Sequence, residues 1–220
     1  MQPGNWPNPP GPDEYALRCD RGRATRLLIV PALFDEGHKL RRFTVETMRA
    51  LDTKGIDTML PDLPGLNESH AELAHQTLRS WHAAIVAAAA QFHATDILSI
   101  RAGASLLPDG YPAIRYAPIG AEHALRALLR SRVIADREAG RDSSREALLA
   151  SGKRDGLRLA GYALGPQMVV DLAEASLKPA DTPDIAQSDL GGPALWLRAE
   201  AASDPAQVEA LAAKIVEALR

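Results

Sequence analysis

Leu27-Leu28-Ile29-Val30 is apolar at every position and is stopped by Pro31. A strand with one face in water alternates, so an unbroken run points to a central strand buried on both faces, as in parallel sheets. Further strands are expected at residues 56–60 and 96–100, and a fourth at 113–117. Between them, Leu40, Phe43, Met48 and Leu51 line one side of a helix that Lys54-Gly55 stops. Leu78, Trp81, Ile85, Ala89 and Phe92 stripe a long helix expected over about 71–92. Strands alternating with helical crossovers predict an α/β chain: a three-layer α/β/α sandwich with a mostly parallel sheet.

The flanks are less regular. Residues 1–13 hold five prolines and no periodicity, and read as a flexible leader, extended on the surface or disordered. Residues 14–220 form one domain, with short strands expected somewhere in 14–26. From 121 to about 192 the character changes, and this stretch reads as a helical, cap-like insertion. It holds arginine-rich helices at 121–139 and 143–151, the extended GLRLAGYALGP, a helix at 167–177 and a polar loop at 178–192. A last strand is expected at 194–198. A closing helix follows at 205–220, with Val208, Leu211, Ile215 and Leu219 on one face.

Composition limits the partners. The 220 residues carry 25 basic and 28 acidic side chains, a net charge of −3, which argues against a general nucleic-acid footprint. No apolar run has the length of a membrane span, and the start lacks the order of a signal peptide. The single Cys19 offers neither an internal disulfide nor a cysteine metal cluster. A cytoplasmic protein without membrane span, cofactor, metal or nucleic-acid partner is expected. It would bind a small molecule or a protein, and LRLAGYALGP is apolar enough to pair with a second copy in a homodimer.

Chemistry centres on LSIRAGASLL, residues 98–107, where a buried strand turns over Gly103 toward a helix. A serine hydrolase carries G-x-S-x-G at such a corner. Here the frame reads Ser99-Ile100-Arg101-Ala102-Gly103, with arginine in the nucleophile position. The order of strand, loop, helix, strand, D-x-x-G corner, long helix, strand and elbow resembles the α/β-hydrolase fold. PALFDEGHKLRR, DLPGLNES and SIRAGASLL resemble three stretches of the exosortase A system-associated hydrolase 2 family: P-P-F-A-E-E-x-N-K-S-R-R, D-L-x-G-x-G-D-S, and an elbow in which R-x-G or L-x-G replaces the serine motif. APIGAEHALRALLRSRV and LAGYALGP resemble its downstream region, so the likeness covers roughly residues 27–170. Two departures stand out. Asn67-Glu68-Ser69 replaces G-D-S, and Pro108-Asp109-Gly110 cuts the helix after the elbow short.

The serine mechanism needs a nucleophile, a base and an orienting acid. A guanidinium is always protonated and has no lone pair with which to attack. Ser99 lies inside the strand, and Ser105 lies past the turn as a weak candidate. Glu200 and Asp204 could serve as the acid, although Ser203-Asp204-Pro205 also reads as a helix cap with proline at the first helical position. The base is missing: the histidines are 38, 70, 75, 82, 93 and 123, so the usual C-terminal triad histidine segment is lacking.

A degenerate hydrolase-like protein, a pseudoenzyme binding a small, anionic ligand or a protein partner, is therefore expected. The alternative is an active hydrolase of non-standard mechanism on an ester or acyl substrate, linked as the resemblance implies to exopolysaccharide and exosortase systems. It would draw on Asp35, Glu36 and His38 as acid and base. A third reading is a scaffold whose pocket has filled. For ligand binding, Phe34, Arg101, Ala102 and Gly103 are the candidates, since backbone N–H groups at a helix start and a guanidinium fork suit anions. The competing reading pairs Arg101 internally with Asp35, Glu36 or Asp62, as a buried arginine requires. His75 and His82, seven residues apart on the long helix, find no convincing third ligand for a metal. Arg126, Arg130, Arg137 and Arg141 form either a basic docking stripe or the solvated face of an amphipathic helix.

Overall fold

The computed structural model describes residues 1–9, 11–179 and 184–220. Six strands form one sheet: β1 (Gln2–Trp6), β2 (Glu14–Cys19), β3 (Arg26–Val30), β4 (Asp57–Pro61), β5 (Asp96–Ile100) and β6 (Ala113–Tyr116). Their order is β1-β2-β4-β3-β5-β6, with β3 through β6 parallel and β1 and β2 antiparallel at one edge.

The unbroken run in β3 has a direct cause. Leu28 and Val30 enter the core on one face, against α2 (Leu78–Gln91), α3 (Ala121–Glu138) and α5 (Pro166–Glu174). Leu27 and Ile29 enter the core on the other, against α1 (Phe34–Thr53) and α7 (Pro205–Ala218). All four side chains are fully buried, and each contributes about 1.5–3 kcal/mol through that burial. The expected three layers and mostly parallel sheet are present.

Several boundaries differ from the expectation. Part of the flexible leader, Gln2–Trp6, is edge strand: β1 pairs antiparallel with β2, and Trp6 is only 2% exposed. Burial of that indole against Phe92, at 6.0 Å between rings, outweighs the prolines, and Pro3 is tolerated because an edge strand leaves one side unpaired. Pro10 of the leader, and residues 180–183 of the expected polar loop, lie outside the described residues. The stretch PALFDEGHKLRR is loop only over residues 31–33, and α1 starts at Phe34. The helix expected over 71–92 is broken. A 3-10 turn at Leu73–His75 is followed by a fresh start at Thr77, whose hydroxyl accepts from the Ser80 amide while Ser80 Oγ accepts from Thr77 N–H. This reciprocal cap ends one element and begins another. His75 and His82 therefore sit on different elements.

In the stretch 121–192, α3, α4 (Arg145–Asp155) and α5 pack on one another. β7 (Leu157–Leu159) and β8 (Tyr162–Leu164) close as a hairpin, so LRLAGYALGP pairs with itself within the chain. A short α6 (Gln187–Leu190) precedes residue 194. The last strand expected at 194–198 does not form, and Leu195–Leu197 is a 3-10 turn. The free edge of β6 is already engaged, since Ile185 N–H donates to Arg115 O and Ala117 N–H donates to Ile185 O. Among the described residues, no helix is long and apolar enough to cross a membrane.

Candidate functional site: the elbow after the fifth strand

The sheet reverses its winding at β3, whose neighbours β4 and β5 lie on opposite sides. The helices that follow β3 and β4 cover opposite faces, so a crevice forms beyond the C-terminal ends of β3 and β5. Two turns border it. Phe34, one helical step into α1, has φ +55°, and Arg101, the residue after β5, has φ +53°. Ala117, just past β6, adds a third at φ +44°. Left-handed backbone at a residue with a side chain costs about 1–3 kcal/mol and is held in place only by its surroundings. Gly103 supplies part of that hold. A Cβ there would lie 2.9 Å from the Val30 carbonyl and nearer still to that of Pro31, so the elbow packs backbone to backbone on the turn after β3. The chain makes only a short 3-10 helix, Arg101–Leu106, as Pro108-Asp109-Gly110 foreshadowed.

Arg101 is enclosed on three sides. Its Nε and Nη2 donate to the two oxygens of Glu36 at 2.9 and 3.1 Å, and Nη1 donates to Ala117 O at 2.8 Å. Its guanidinium carbon stands 3.9 Å from the ring centre of Trp196. The side chains of Arg101 and Glu36 are 12% and 26% exposed, so the pair is shielded enough to be stronger than a surface ion pair. Trp196 arrives on the 3-10 turn that replaced the expected last strand.

The remaining candidates are dispersed. Asp35 pairs with Lys39 at 2.9 Å on the exposed side of α1. Phe34 is buried against Trp81 and Tyr162, at 5.5 and 5.1 Å between rings. His38 lies 6.1 Å from Tyr162. Burial, helped by the Asp35 carboxylate, pushes the Tyr162 phenol up to about 12. Asp62 accepts from Arg41 at 2.8 Å and from Asn67 at 3.0 Å, so its role is to close the D-x-x-G corner. Ala102 and Gly103 are buried beneath the elbow. Ser105 Oγ accepts from Ala121 N–H at 2.9 Å and anchors the start of α3. Ser99 is wholly buried in β5. Asp204 caps α7 by accepting from the amides of Ala206 and Gln207, ahead of Pro205. Between the start of α1 and the corner after β4, a cavity of about 20 Å³ is lined by Phe34, Gly37, His38, Arg41, Leu63 and others. That is room for about one water, and Arg101 does not border it.

No protein-family model matches the sequence, and no curated protein matches it. Solved structures do. Mouse alpha/beta hydrolase domain-containing protein 10 superposes with a TM-score of 0.55 at 13% identity, covering 100% of this chain and 98% of that one. GrgF, an alpha/beta hydrolase from Penicillium sp. sh18, gives 0.54 at 14% identity, covering 80% of this chain and 73% of that one. The chain has the α/β-hydrolase fold.

In the α/β-hydrolase fold the elbow presents its nucleophile on a strained strand-to-helix turn. Arg101 keeps that backbone state, with φ +53°, but carries a cation in place of the hydroxyl. Sequence reasoning placed Arg101 and Glu36 among the candidates and missed Ala117, Tyr162 and Trp196. Nothing in the sequence around Trp196 marks it, because its role depends on a strand that fails to form.

Proposed function

We propose that this protein is a non-catalytic member of its fold, a pseudoenzyme that acts by binding. The Arg101–Glu36 pair at the elbow carries this reading: the nucleophile position holds a permanently charged fork whose donors are directed to Glu36 and Ala117. Two observations support it. No histidine follows residue 123, and Ser105, the serine past the elbow, is engaged by the Ala121 amide at the start of α3. The alternative, a hydrolase of non-standard mechanism linked to exosortase systems, would need Asp35, Glu36 and His38 free to act together. The ion pairs of Asp35 with Lys39 and of Glu36 with Arg101 weigh against it. Its basis is the likeness of PALFDEGHKLRR, DLPGLNES and SIRAGASLL to that family. The cytoplasm, and action without cofactor, are part of the same proposal.

The test is a fluorophosphonate probe together with a panel of p-nitrophenyl esters. The expected result is no labelling and no turnover above buffer. Stoichiometric labelling of one serine overturns the proposal.

A further inference from the structure

A second concave surface lies apart from the elbow, between α3 and the start of α4. It encloses about 590 Å³ and is lined by His123, Arg126, Arg130, Val133 and Ile134 of α3, with Arg145 and Glu146 of α4. On α3 these residues fall three or four apart and so form one stripe. The volume is that of a small-molecule site.

The arginines here differ from two others nearby. Arg132 and Arg141 are tied to the buried Asp136 at 2.9 and 2.6 Å. In the groove, Arg126 reaches Glu122 only at 3.4 Å and Arg145 reaches Glu146 only at 3.3 Å. The Arg130 side chain has no ion pair or hydrogen bond among the described residues. His123 contacts Glu122 at 2.7 Å. Between these cations Ile134 is 53% exposed, with Val133 beside it. A merely solvated basic face has no use for an aliphatic floor.

We propose that this groove binds a phosphomonoester carried on an aliphatic chain. Three guanidinium groups stand against the carboxylates of Glu146 on the lining and Glu122 beside Arg126, a net positive charge that suits a phosphomonoester's charge of about −1.5 to −2 at neutral pH. Guanidinium forks suit its oxygens in bidentate pairs. Val133 and Ile134 offer the chain an apolar seat. No Phe, Tyr or Trp lines the groove, and His123 carries the one ring on its lining. The inference goes beyond the non-catalytic reading and stands on residues the elbow does not touch.

The probe is octyl phosphate, titrated calorimetrically below its micelle concentration into the full chain. Saturable one-to-one binding is expected. It should weaken about tenfold or more in the Arg126→Gln/Arg130→Gln double variant, and measurably in Ile134→Ser, with circular dichroism unchanged in both. Inorganic phosphate and octanol should each bind at least about tenfold more weakly than octyl phosphate. Equal affinity for octanol overturns the need for an anion, and unchanged affinity in the double variant overturns the location. Sedimentation with phosphatidic acid vesicles without binding of the monomeric amphiphile overturns the proposal in favour of a membrane-surface contact. Each of these failures leaves the fluorophosphonate result standing, so the two readings fail separately.

Discussion

The guanidinium of Arg101 and the carboxylate of Glu36 meet through two hydrogen bonds of 2.9 and 3.1 Å, joining the turn after β5 to the first turn of α1. The pair spans the crevice at the C-terminal ends of the central strands. It converts the corner at which this fold presents its nucleophile into an internal fastening.

Removing one partner leaves the other shielded and half-satisfied. Glu36→Gln is expected to cost about 1–3 kcal/mol, lowering Tm by several degrees in thermal unfolding. Arg101→Lys should cost nearly as much as Arg101→Ala, because an ammonium can neither bridge both carboxylate oxygens nor stack on Trp196 in the same pose.

Restoring a serine should not restore chemistry. Arg101→Ser supplies a hydroxyl at the elbow, but no imidazole from the C-terminal part of the chain can take its proton. Turnover of p-nitrophenyl acetate is expected to remain at background, measured by release of p-nitrophenolate.

Gly103 is fixed by contact with backbone. Gly103→Ala forces the elbow away from the carbonyls of Val30 and Pro31, neither of which can swing aside as a side chain would. A loss of about 2 kcal/mol or more is expected, read as a lower urea midpoint or as failure to fold.

Acid should destabilise the chain over a defined window. Arg26 holds the Asp20 carboxyl at about 2, Arg21 and Arg23 hold Asp52 at about 2, and Arg141 and Arg132 hold Asp136 at about 2. Each folded value lies below the unfolded one, near 3.9. Their stabilisation is therefore complete above roughly pH 5 and is lost as pH falls through about 4 toward 2. Urea midpoints across pH 2–6 test this, and Asp136→Asn should flatten part of the slope.

Glu14 predicts the opposite sign. It lies opposite Trp6 in the register of β1 and β2, is 0% exposed, and neither of its oxygens meets a hydrogen-bond partner of proper geometry. Burial raises its carboxyl above the ordinary range; Ser69 opposes this, Asp62 adds to it and His70 opposes it. The folded state thus keeps its proton where the unfolded chain has lost it, and stability falls as pH rises through that window. Glu14→Gln should stabilise the protein at pH 7 by about 1 kcal/mol, and the gain should vanish near pH 4.

Periodicity revealed the centre of the fold and missed its edges. Leu27–Val30 declared a two-faced strand because both of its faces are apolar. Gln2–Trp6 did not, because an edge strand stabilised by one indole leaves little trace among prolines. Residues 194–198 looked like a strand by composition, but Ile185 already holds the edge of β6, a long-range fact that no local pattern records. At the site, the missing histidine and the arginine in the elbow frame were legible, as was the set of carboxylates within reach of Arg101. The choice of Glu36 over Asp35 and Asp62 was not. It follows from the direction in which the first turn of α1 faces, and from Arg41 and Asn67 already satisfying Asp62.

The turn at Leu195–Leu197 has a kinetic consequence. Because Trp196 closes over Arg101, one guanidinium gathers contacts from residues 36, 117 and 196, most of the length of the chain. Such a junction needs several large loops closed before it can form, which places it after the folding transition state. Weakening it should leave the refolding rate nearly unchanged and accelerate unfolding, so the residue that replaces a nucleophile would act as the latch that sets the lifetime of the native state.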